Sequence, residues 1–208
     1  MNETTFIAAT AGLLHDIGKF MLRAGESGTR TWDAEAIRDF KYKHAMLTAS
    51  FVQRYVPEVW RRHVEMAAGN HHNPQTRLDV AVSLADYLSA AERNDGTEDQ
   101  DVRKSHPRQL MSIFATLEAD GTRLEERDKS YLPLAPLSLA RDVLFPGEAM
   151  SNQDDVWLRY NDALWLPFTQ EAERLKQTHE ASGDPAIYLE SLLLLMQRYT
   201  WCVPSAYF

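Results

Sequence analysis

Apolar residues recur at helical spacing through the first part of the chain. Between residues 4 and 24, the side chains of Phe6, Leu13, Ile17 and Phe20 fall on one stripe. Apolar positions three to four residues apart are typical of a helix that buries one face. The pattern therefore predicts one continuous helix over residues 4–24.

The same periodicity predicts further helices and no strands. The predicted helices cover residues 43–55, 57–68, 76–93, 153–178 and 185–200. Segments rich in Gly, Pro and polar residues separate them, at 25–31, 94–106 and 130–147. We therefore expect an all-α fold. The pair His71-His72 lies between Gly69-Asn70 and Asn73-Pro74, so we expect it on a short turn between two helices.

Composition excludes several classes of protein. The chain has 208 residues, 44% of them hydrophobic, which is enough for a packed core. A single cysteine, Cys202, excludes an internal disulfide and a multi-thiolate zinc site. The start of the chain has no basic secretion signal, and the apolar run 191–196 is too short to span a bilayer. We expect a cytoplasmic protein with no membrane partner.

The net charge of −8 is unevenly distributed along the chain. Residues 1–95 contain 11 Lys and Arg against 12 Asp and Glu, whereas residues 96–208 contain 11 against 18. The acidity therefore lies mostly outside the first 95 residues. Because a bound metal would add local positive charge there, the overall charge does not exclude a polynucleotide substrate.

Candidate chemistry begins at the doublet His15-Asp16, which follows an apolar segment. Polar side chains in such a segment are costly to bury unless they are paired or bind a metal. Further candidate ligands follow at His44, His71, His72 and Asp86. The set of imidazoles and carboxylates could hold one or two divalent ions for hydrolysis.

Each of these residues, taken alone, allows a structural explanation. Asp86 could form an ion pair or cap a turn, and His44 could be a hydrogen-bonded histidine at a helix start. His71 and His72 could be exposed, and the sequence does not say which of them faces a metal. The combination, rather than any one member, favours a metal site.

Two cations follow the doublet on the same predicted helix. Gly12, Asp16, Lys19 and Arg23 are spaced so that they could face one cleft. In a two-metal hydrolase, a carboxylate such as Asp16 would bridge the ions, and we assign it a catalytic role. We expect Lys19 to act in catalysis and, with Arg23, to bind substrate phosphates, although both could lie on a solvated helix face.

The motifs resemble those of a known family. His15-Asp16-Ile17-Gly18-Lys19, with the later His-His and Ala-Asp pairs, is similar to the HD superfamily of metal-dependent phosphohydrolases. More narrowly, the N-terminal Leu-Leu-His-Asp-Ile-Gly-Lys-Phe, Lys-His44, Asn-His-His72, Ala-Asp86 and the closing Tyr-Thr-Trp-Cys-Val-Pro-Ser resemble the large signature subunit of type III-A CRISPR effector complexes. No histidine precedes the doublet, and the permuted motif order of that family accommodates this departure.

The resemblance implies a fold and an organisation. It implies an HD-superfamily helical bundle with permuted motif order and additional C-terminal helices. Residues 1–200 would form one domain, with the metal site in 1–95 and the additional helices in 107–200. Residues 201–208 would begin a linker to a palm domain that this sequence lacks.

The resemblance also implies an activity. It implies a nuclease that cuts single-stranded DNA with one or two manganese, nickel or cobalt ions, either as an exonuclease or as an endonuclease. Other effector subunits and a guide RNA would be its partners in antiviral defence. Two alternatives stay open at this point: an HD phosphohydrolase acting on nucleotides, and a catalytically inactive HD module that only docks partner subunits.

Overall fold

The fold consists of helices joined by short turns and loops. A computed structural model describes residues 1–90, 109–113, 131–144, 159–180 and 183–204. Within these ranges the regular elements are all helical, and the only extended pairing is an isolated antiparallel bridge between Met111 and Tyr131. The prediction of an all-α fold is confirmed.

Six helices occupy the first 90 residues. They are α1 (Glu3–Leu14), α2 (Ile17–Arg23), α3 (Ala34–Phe40), α4 (Lys43–Tyr55), α5 (Glu58–Gly69) and α6 (Arg77–Ala90). Helix α4 lies at the centre of this group, because every residue from His44 to Val52 is buried. It packs against α2, α3 and α5, while α1 packs against α5 and α6.

Three further helices are described beyond residue 130. They are the short α7 (Arg141–Leu144), α8 (Leu166–His179) and α9 (Pro185–Thr200), and one π-helical turn, Asn161–Trp165, leads directly into α8. Helix α8 packs against α4, and α9 packs against α1. Asn161 Nδ2 also donates a hydrogen bond to the carbonyl of Ala24 over 3.1 Å.

An aromatic cluster joins these helices to the first group. The ring of Phe168 lies 5.7 Å from the rings of both Phe20 and Phe51, and Trp165 lies 5.1 Å from Phe20, measured between centroids. The buried side chains of both parts form one hydrophobic core. The predicted domain boundaries nevertheless stay a prediction.

The structure differs from the predicted helices in two places. The expected helix over 4–24 is interrupted, because α1 ends at Leu14 and α2 begins at Ile17. Helix α3 was not predicted. It begins where the Asp33 carboxylate accepts hydrogen bonds from the backbone N–H groups of Glu35 and Ala36, a short-range cap in a segment with weak apolar periodicity.

Other sequence predictions fall partly outside the described residues. Helix α6 covers residues 77–90 of the predicted 76–93, and residues 91–93 are not described. The description of the predicted helix 153–178 starts at residue 159. The predicted loop over 94–106 also lies outside the described residues.

Helix α6 is less buried than its composition suggests. Its apolar residues Val80, Leu84, Tyr87 and Leu88 are each more than half exposed. The side chain of Asp86, on the same helix, is 23% exposed. None of the helices in the described ranges combines the length and hydropathy needed to cross a membrane.

Candidate metal centre

The break between α1 and α2 contains the His15-Asp16 doublet, whose side chains are partly buried. His15 directly follows α1 and has a helical backbone, whereas Asp16 directly precedes α2 and has a non-helical backbone (φ −105°, ψ 7°). The hydroxyl of Thr48 holds this turn, because it accepts from the Gly18 N–H at 3.1 Å and donates to the His15 carbonyl at 2.8 Å. The doublet is thereby attached to the central helix α4.

Gly18 allows α2 to approach α4 closely. A Cβ atom on Gly18 would collide with the backbone carbonyl of His44 and would lie 2.9 Å from the backbone nitrogen of Thr48. Real Cβ atoms do not approach other atoms this closely, and backbone atoms cannot move aside as a flexible side chain can. The glycine of the His-Asp-Ile-Gly-Lys sequence is therefore required for packing.

The first group of candidate ligands consists of His15, Asp16 and Asp86. His15 Nε2 lies 3.4 Å from an oxygen of Asp16 and 3.3 Å from an oxygen of Asp86. His15 Nδ1 donates to the carbonyl of Gly12 over 2.7 Å, which fixes the ring so that Nε2 faces the two carboxylates. One ligand atom from each of the three residues falls within 4.8 Å of the others.

The second group consists of three histidines. His44 Nε2 and His72 Nε2 lie 2.9 Å apart, and the ring of His71 lies 4.0 Å from that of His72 between centroids. His71 Nδ1 donates to the carbonyl of Ala68 over 2.6 Å. Their ligand atoms also lie within 4.8 Å of one another. The structure brings both members of the His71-His72 pair to this group.

Asp16 faces both groups at once. One carboxylate oxygen lies 3.7 Å from His44 Nε2, and the other lies 3.4 Å from His15 Nε2. The rings of His15 and His71 are also in edge contact, with their centroids 5.2 Å apart. The two groups are therefore contiguous, and the Asp16 carboxylate lies at their junction.

The pKa values of the carboxylates and of His15 are coupled. Burial disfavours ionised Asp16, but the hydrogen bond and the charge of His15, together with the charge of Lys19, hold the pKa of that carboxyl well below its usual range. The pKa of Asp86 is also lowered, mainly by its hydrogen bond with His15. Burial alone would lower the pKa of His15, yet the two carboxylates raise it to about 10. The two carboxylates therefore favour a bound cation beside His15.

The three histidines of the second group are poised to be neutral. Burial lowers the pKa of His44 and of His72 to about 3, and it also lowers the pKa of His71. A neutral imidazole offers the nitrogen lone pair that a metal ion requires. Within the described part of the chain, the buried His71 Nε2 has no hydrogen-bond partner.

These observations fit a divalent metal ion. An unsatisfied buried nitrogen is costly, and a metal ion would satisfy it. Hydrogen bonds from Nδ1 of His15 and His71 to backbone carbonyls are the arrangement that commonly orients metal-binding histidines. A donor set of four imidazoles and two carboxylates suits transition metals better than magnesium or calcium. The ligand role of each residue stays a prediction.

The two predicted substrate-binding cations lie in different surroundings. Lys19 Nζ lies 3.0 Å from a carboxylate oxygen of Asp16, and the Lys19 side chain is 21% exposed. Arg23 ends α2 and is only 5% exposed, so little of its guanidinium is accessible to a substrate. Lys19 is thus beside the cluster, whereas the substrate contact predicted for Arg23 stays a prediction.

Sequence reasoning missed two residues that support the cluster. The ring of Tyr42 lies parallel to that of His44 at 5.7 Å and in edge contact with that of His72 at 4.5 Å, measured between centroids. Thr48 holds the doublet, as described above. Thr48 lies one helical turn from His44 and Tyr42 is two residues before it, but these spacings are too common to have identified either residue.

The fold and the cluster define a class of protein, and a sequence comparison agrees. Residues 2–91 match the HD domain family. They include the whole cluster, from His15 to Asp86. These residues are an HD domain, the helical domain of a class of metal-dependent hydrolases.

Similarity to a known protein gives a more specific assignment within this class. Over 215 aligned residues the chain is 31% identical to the CRISPR system single-strand-specific deoxyribonuclease Cas10/Csm1 (subtype III-A) of Methanocaldococcus jannaschii, with 98% of this chain and 24% of that protein aligned. The chain thus spans about a quarter of the length of this relative. No solved structure matches the chain significantly. The resemblance to the type III-A large subunit is confirmed.

Proposed function

We propose that this chain is the HD nuclease part of a type III-A CRISPR effector and that it hydrolyses phosphodiester bonds in single-stranded DNA. The observation that carries the proposal is the position of Asp16 between the two groups of candidate ligands. The HD match and the single-strand-specific activity named for the relative support the same function.

The two groups would divide the metal ligands between them. His44, His71 and His72 would hold one divalent ion, and His15 and Asp86 would hold a second, with Asp16 available to both. We propose manganese, nickel or cobalt, since four of the six ligands are imidazoles. Bound divalent ions supply Lewis acidity toward the phosphodiester and lower the pKa of water to near neutrality.

The cationic side chain of Lys19 would contribute to catalysis beside the metal ligands. Lys19 orients the Asp16 carboxylate through its 3.0 Å contact. The same ammonium is close enough to the cluster to stabilise negative charge that develops on phosphate oxygens during hydrolysis. We therefore propose that Lys19 acts in catalysis and binds the substrate. The proposal does not depend on Arg23, which is buried.

The proposed macromolecular partners are inferred from the relative rather than from the fold. We propose that the chain acts in the cytoplasm beside other effector subunits and their guide RNA.

Metal binding should stabilise the fold, which gives a test independent of catalysis. At manganese concentrations of about 100 times Kd, we expect about 2.7 kcal/mol of added stability, measured as a rise in thermal midpoint. His72→Ala should remove the part of this gain that comes from the ion held by the three histidines. His63→Ala, which changes an exposed histidine on α5, should keep it. An equal gain in both variants would contradict the assignment of His72 as a ligand.

A substrate panel tests the function directly. The chain is incubated with linear and circular single-stranded DNA, duplex DNA and free nucleotides, each with manganese and with a chelator. We expect manganese-dependent cleavage of single strands alone. Cleavage of the circular form would indicate an endonuclease, whereas cleavage of only the linear form would indicate an exonuclease.

The same panel distinguishes the alternative functions. Release of phosphate from nucleotides without cleavage of DNA would support a nucleotide phosphohydrolase and contradict the proposal. An absence of turnover with manganese, nickel and cobalt would support an inactive docking module. Salt should weaken binding to DNA if backbone phosphates dominate the contact.

A further inference from the structure

Lys41 has an unusual backbone conformation for a lysine. It follows α3 with φ 67° and ψ −37°, and its N–H donates to the carbonyl of Ile37 over 2.9 Å. Within the described ranges, no other residue except glycine has a positive φ. A positive φ crowds the Cβ of any larger residue, so glycine is the usual residue where a helix ends in this way. The lysine side chain is therefore present at a cost that glycine would avoid.

The ammonium of Lys41 is exposed and lies over the ring of Tyr42. The distance from Nζ to the centroid of that ring is 5.7 Å. In the part of the chain that the structure describes, this ammonium pairs with no carboxylate, and the neighbouring Asp39 pairs instead with Arg38 at 3.0 Å. A cation over an aromatic face keeps N–H groups available to other acceptors. The charge of Lys41 is therefore available to an anionic ligand.

Tyr42 links this cation to the candidate metal centre. Its ring lies 5.7 Å from that of His44 and 4.5 Å from that of His72, measured between centroids. The Lys41 ammonium is thus connected to the second group of candidate ligands through one aromatic ring. Lys19, by contrast, lies directly beside the carboxylate at the junction of the two groups. The two lysines therefore occupy different positions relative to the metal centre.

An available cation beside the metal centre suits the backbone of a nucleic acid strand. Each nucleotide carries one negative charge, and proteins that bind single strands place cations along the path of the backbone. The net charge of this chain is −8, so a strand is attracted only by local positive charge. Lys41 supplies such charge one side chain away from the histidines.

We propose that Lys41 binds a backbone phosphate of single-stranded DNA, next to the phosphodiester that is hydrolysed at the metal centre. This inference rests on the proposed function and extends the substrate-binding site beyond Lys19. The phosphate at Lys41 does not react, so the contact would stabilise the bound substrate and the transition state equally. Lys41 would therefore affect KM, whereas Lys19 would also affect kcat.

Substitution of Lys41 by glycine tests the inference without straining the fold. Lys41→Gly removes the cation and suits the positive φ, whereas Lys41→Arg keeps the charge. Arg174→Ala removes an exposed cation from α8 and is the matched control. Binding of a fluorescent phosphorothioate oligothymidine, which resists cleavage, is measured by anisotropy in manganese at salt concentrations from about 50 to 200 mM. Manganese binding, the thermal midpoint, and the KM and kcat of cleavage are measured on the same proteins.

We expect Lys41→Gly to bind the oligonucleotide roughly fivefold more weakly than the unmodified chain. The slope of log K against log salt should become shallower by about 0.7, the value for one lost phosphate contact to a single strand. KM should rise by a similar factor with kcat unchanged. The thermal midpoint should rise by about 2 °C, and manganese binding should not change. Lys41→Arg and Arg174→Ala should behave like the unmodified chain.

Three results would overturn the inference. The first is an unchanged salt slope in Lys41→Gly. The second is a lower thermal midpoint or weaker manganese binding in that variant, because Lys41 would then serve the fold rather than the substrate. The third is an equal loss of DNA binding in Arg174→Ala, because the net charge of the chain would then explain the effect.

The outcomes also separate this inference from the proposed function. If the unmodified chain cleaves single strands but Lys41→Gly keeps the same salt slope and KM, the Lys41 inference fails and the nuclease function stands. If no substrate is cleaved with any of the three metals but single-strand binding depends on Lys41 as expected, the nuclease function fails and the phosphate contact stands. An absence of single-strand binding by the unmodified chain would overturn both.

Discussion

Asp16→Ala is expected to lower single-strand cleavage by roughly 10³-fold or more, the equivalent of about 4 kcal/mol of lost transition-state stabilisation. The carboxylate faces both groups of candidate ligands, at 3.4 Å from His15 and 3.7 Å from His44. Its loss would therefore weaken both metal positions at once. The rate is measured under saturating manganese, and metal affinity is measured by calorimetry.

The fold should survive this substitution. Asp16 lies directly before α2, but its side chain caps no backbone N–H of that helix. In the variant, His15 keeps Asp86 as its partner at 3.3 Å. We therefore expect the free energy of unfolding of the metal-free chain to change by less than about 1 kcal/mol.

Two controls sharpen this prediction. Asp16→Asn keeps the shape of the side chain and removes its charge, so it should lose nearly as much activity as the alanine variant. Asp162→Ala, at an exposed position near the start of α8, should retain full activity. Activity within about threefold of the parent chain in Asp16→Asn would contradict a role for this carboxylate in holding metal ions.

The sequence was sufficient to select the residues of the cluster as candidates, but not to show that they meet. Histidine and aspartate side chains are rare in apolar segments unless they are paired or bind a metal. His15, Asp16 and Asp86 could therefore be selected by residue type and context alone. Their meeting depends on the packing of α1 against α6, which sequence periodicity does not report. The described residues do bring all six candidate ligands into two contiguous groups.

The break at the doublet could not be predicted from the local pattern. The apolar stripe of α1 continues into Ile17 and Phe20 of α2, so periodicity alone favours one helix. The interruption is fixed by a contact 30 residues away, from the Gly18 N–H to the Thr48 hydroxyl. A tertiary hydrogen bond of this kind leaves no local signal. The same reasoning applies to Tyr42, whose role depends on the position of His72.

Substituting Gly18 and Gly12 with alanine is expected to affect stability in opposite directions. Both glycines lie on the helices that flank the doublet, six residues apart in the chain. A Cβ on Gly18 would collide with the carbonyl of His44, whereas a Cβ on Gly12 would meet no atom within 4 Å. Only one of the two positions is therefore closed to a larger residue.

Gly18→Ala should lower the free energy of unfolding by about 4 kcal/mol. Overpacking against backbone atoms costs roughly 1–3 kcal/mol, and separating α2 from α4 also breaks the Gly18–Thr48 hydrogen bond, which leaves buried groups without partners. Because the same contact fixes the doublet, chains that remain folded should bind manganese more weakly. Urea unfolding and calorimetry measure the two effects.

Gly12→Ala should instead raise the free energy of unfolding by about 0.5–1 kcal/mol, since alanine is the better helix former inside α1. The backbone carbonyl of residue 12 would still accept from His15 Nδ1, so metal binding should be unchanged. Equal effects at positions 12 and 18 would show that helix propensity alone governs both sites. A large loss confined to position 18 would show that contact between α2 and α4 builds the metal centre, because propensity predicts a gain at both positions.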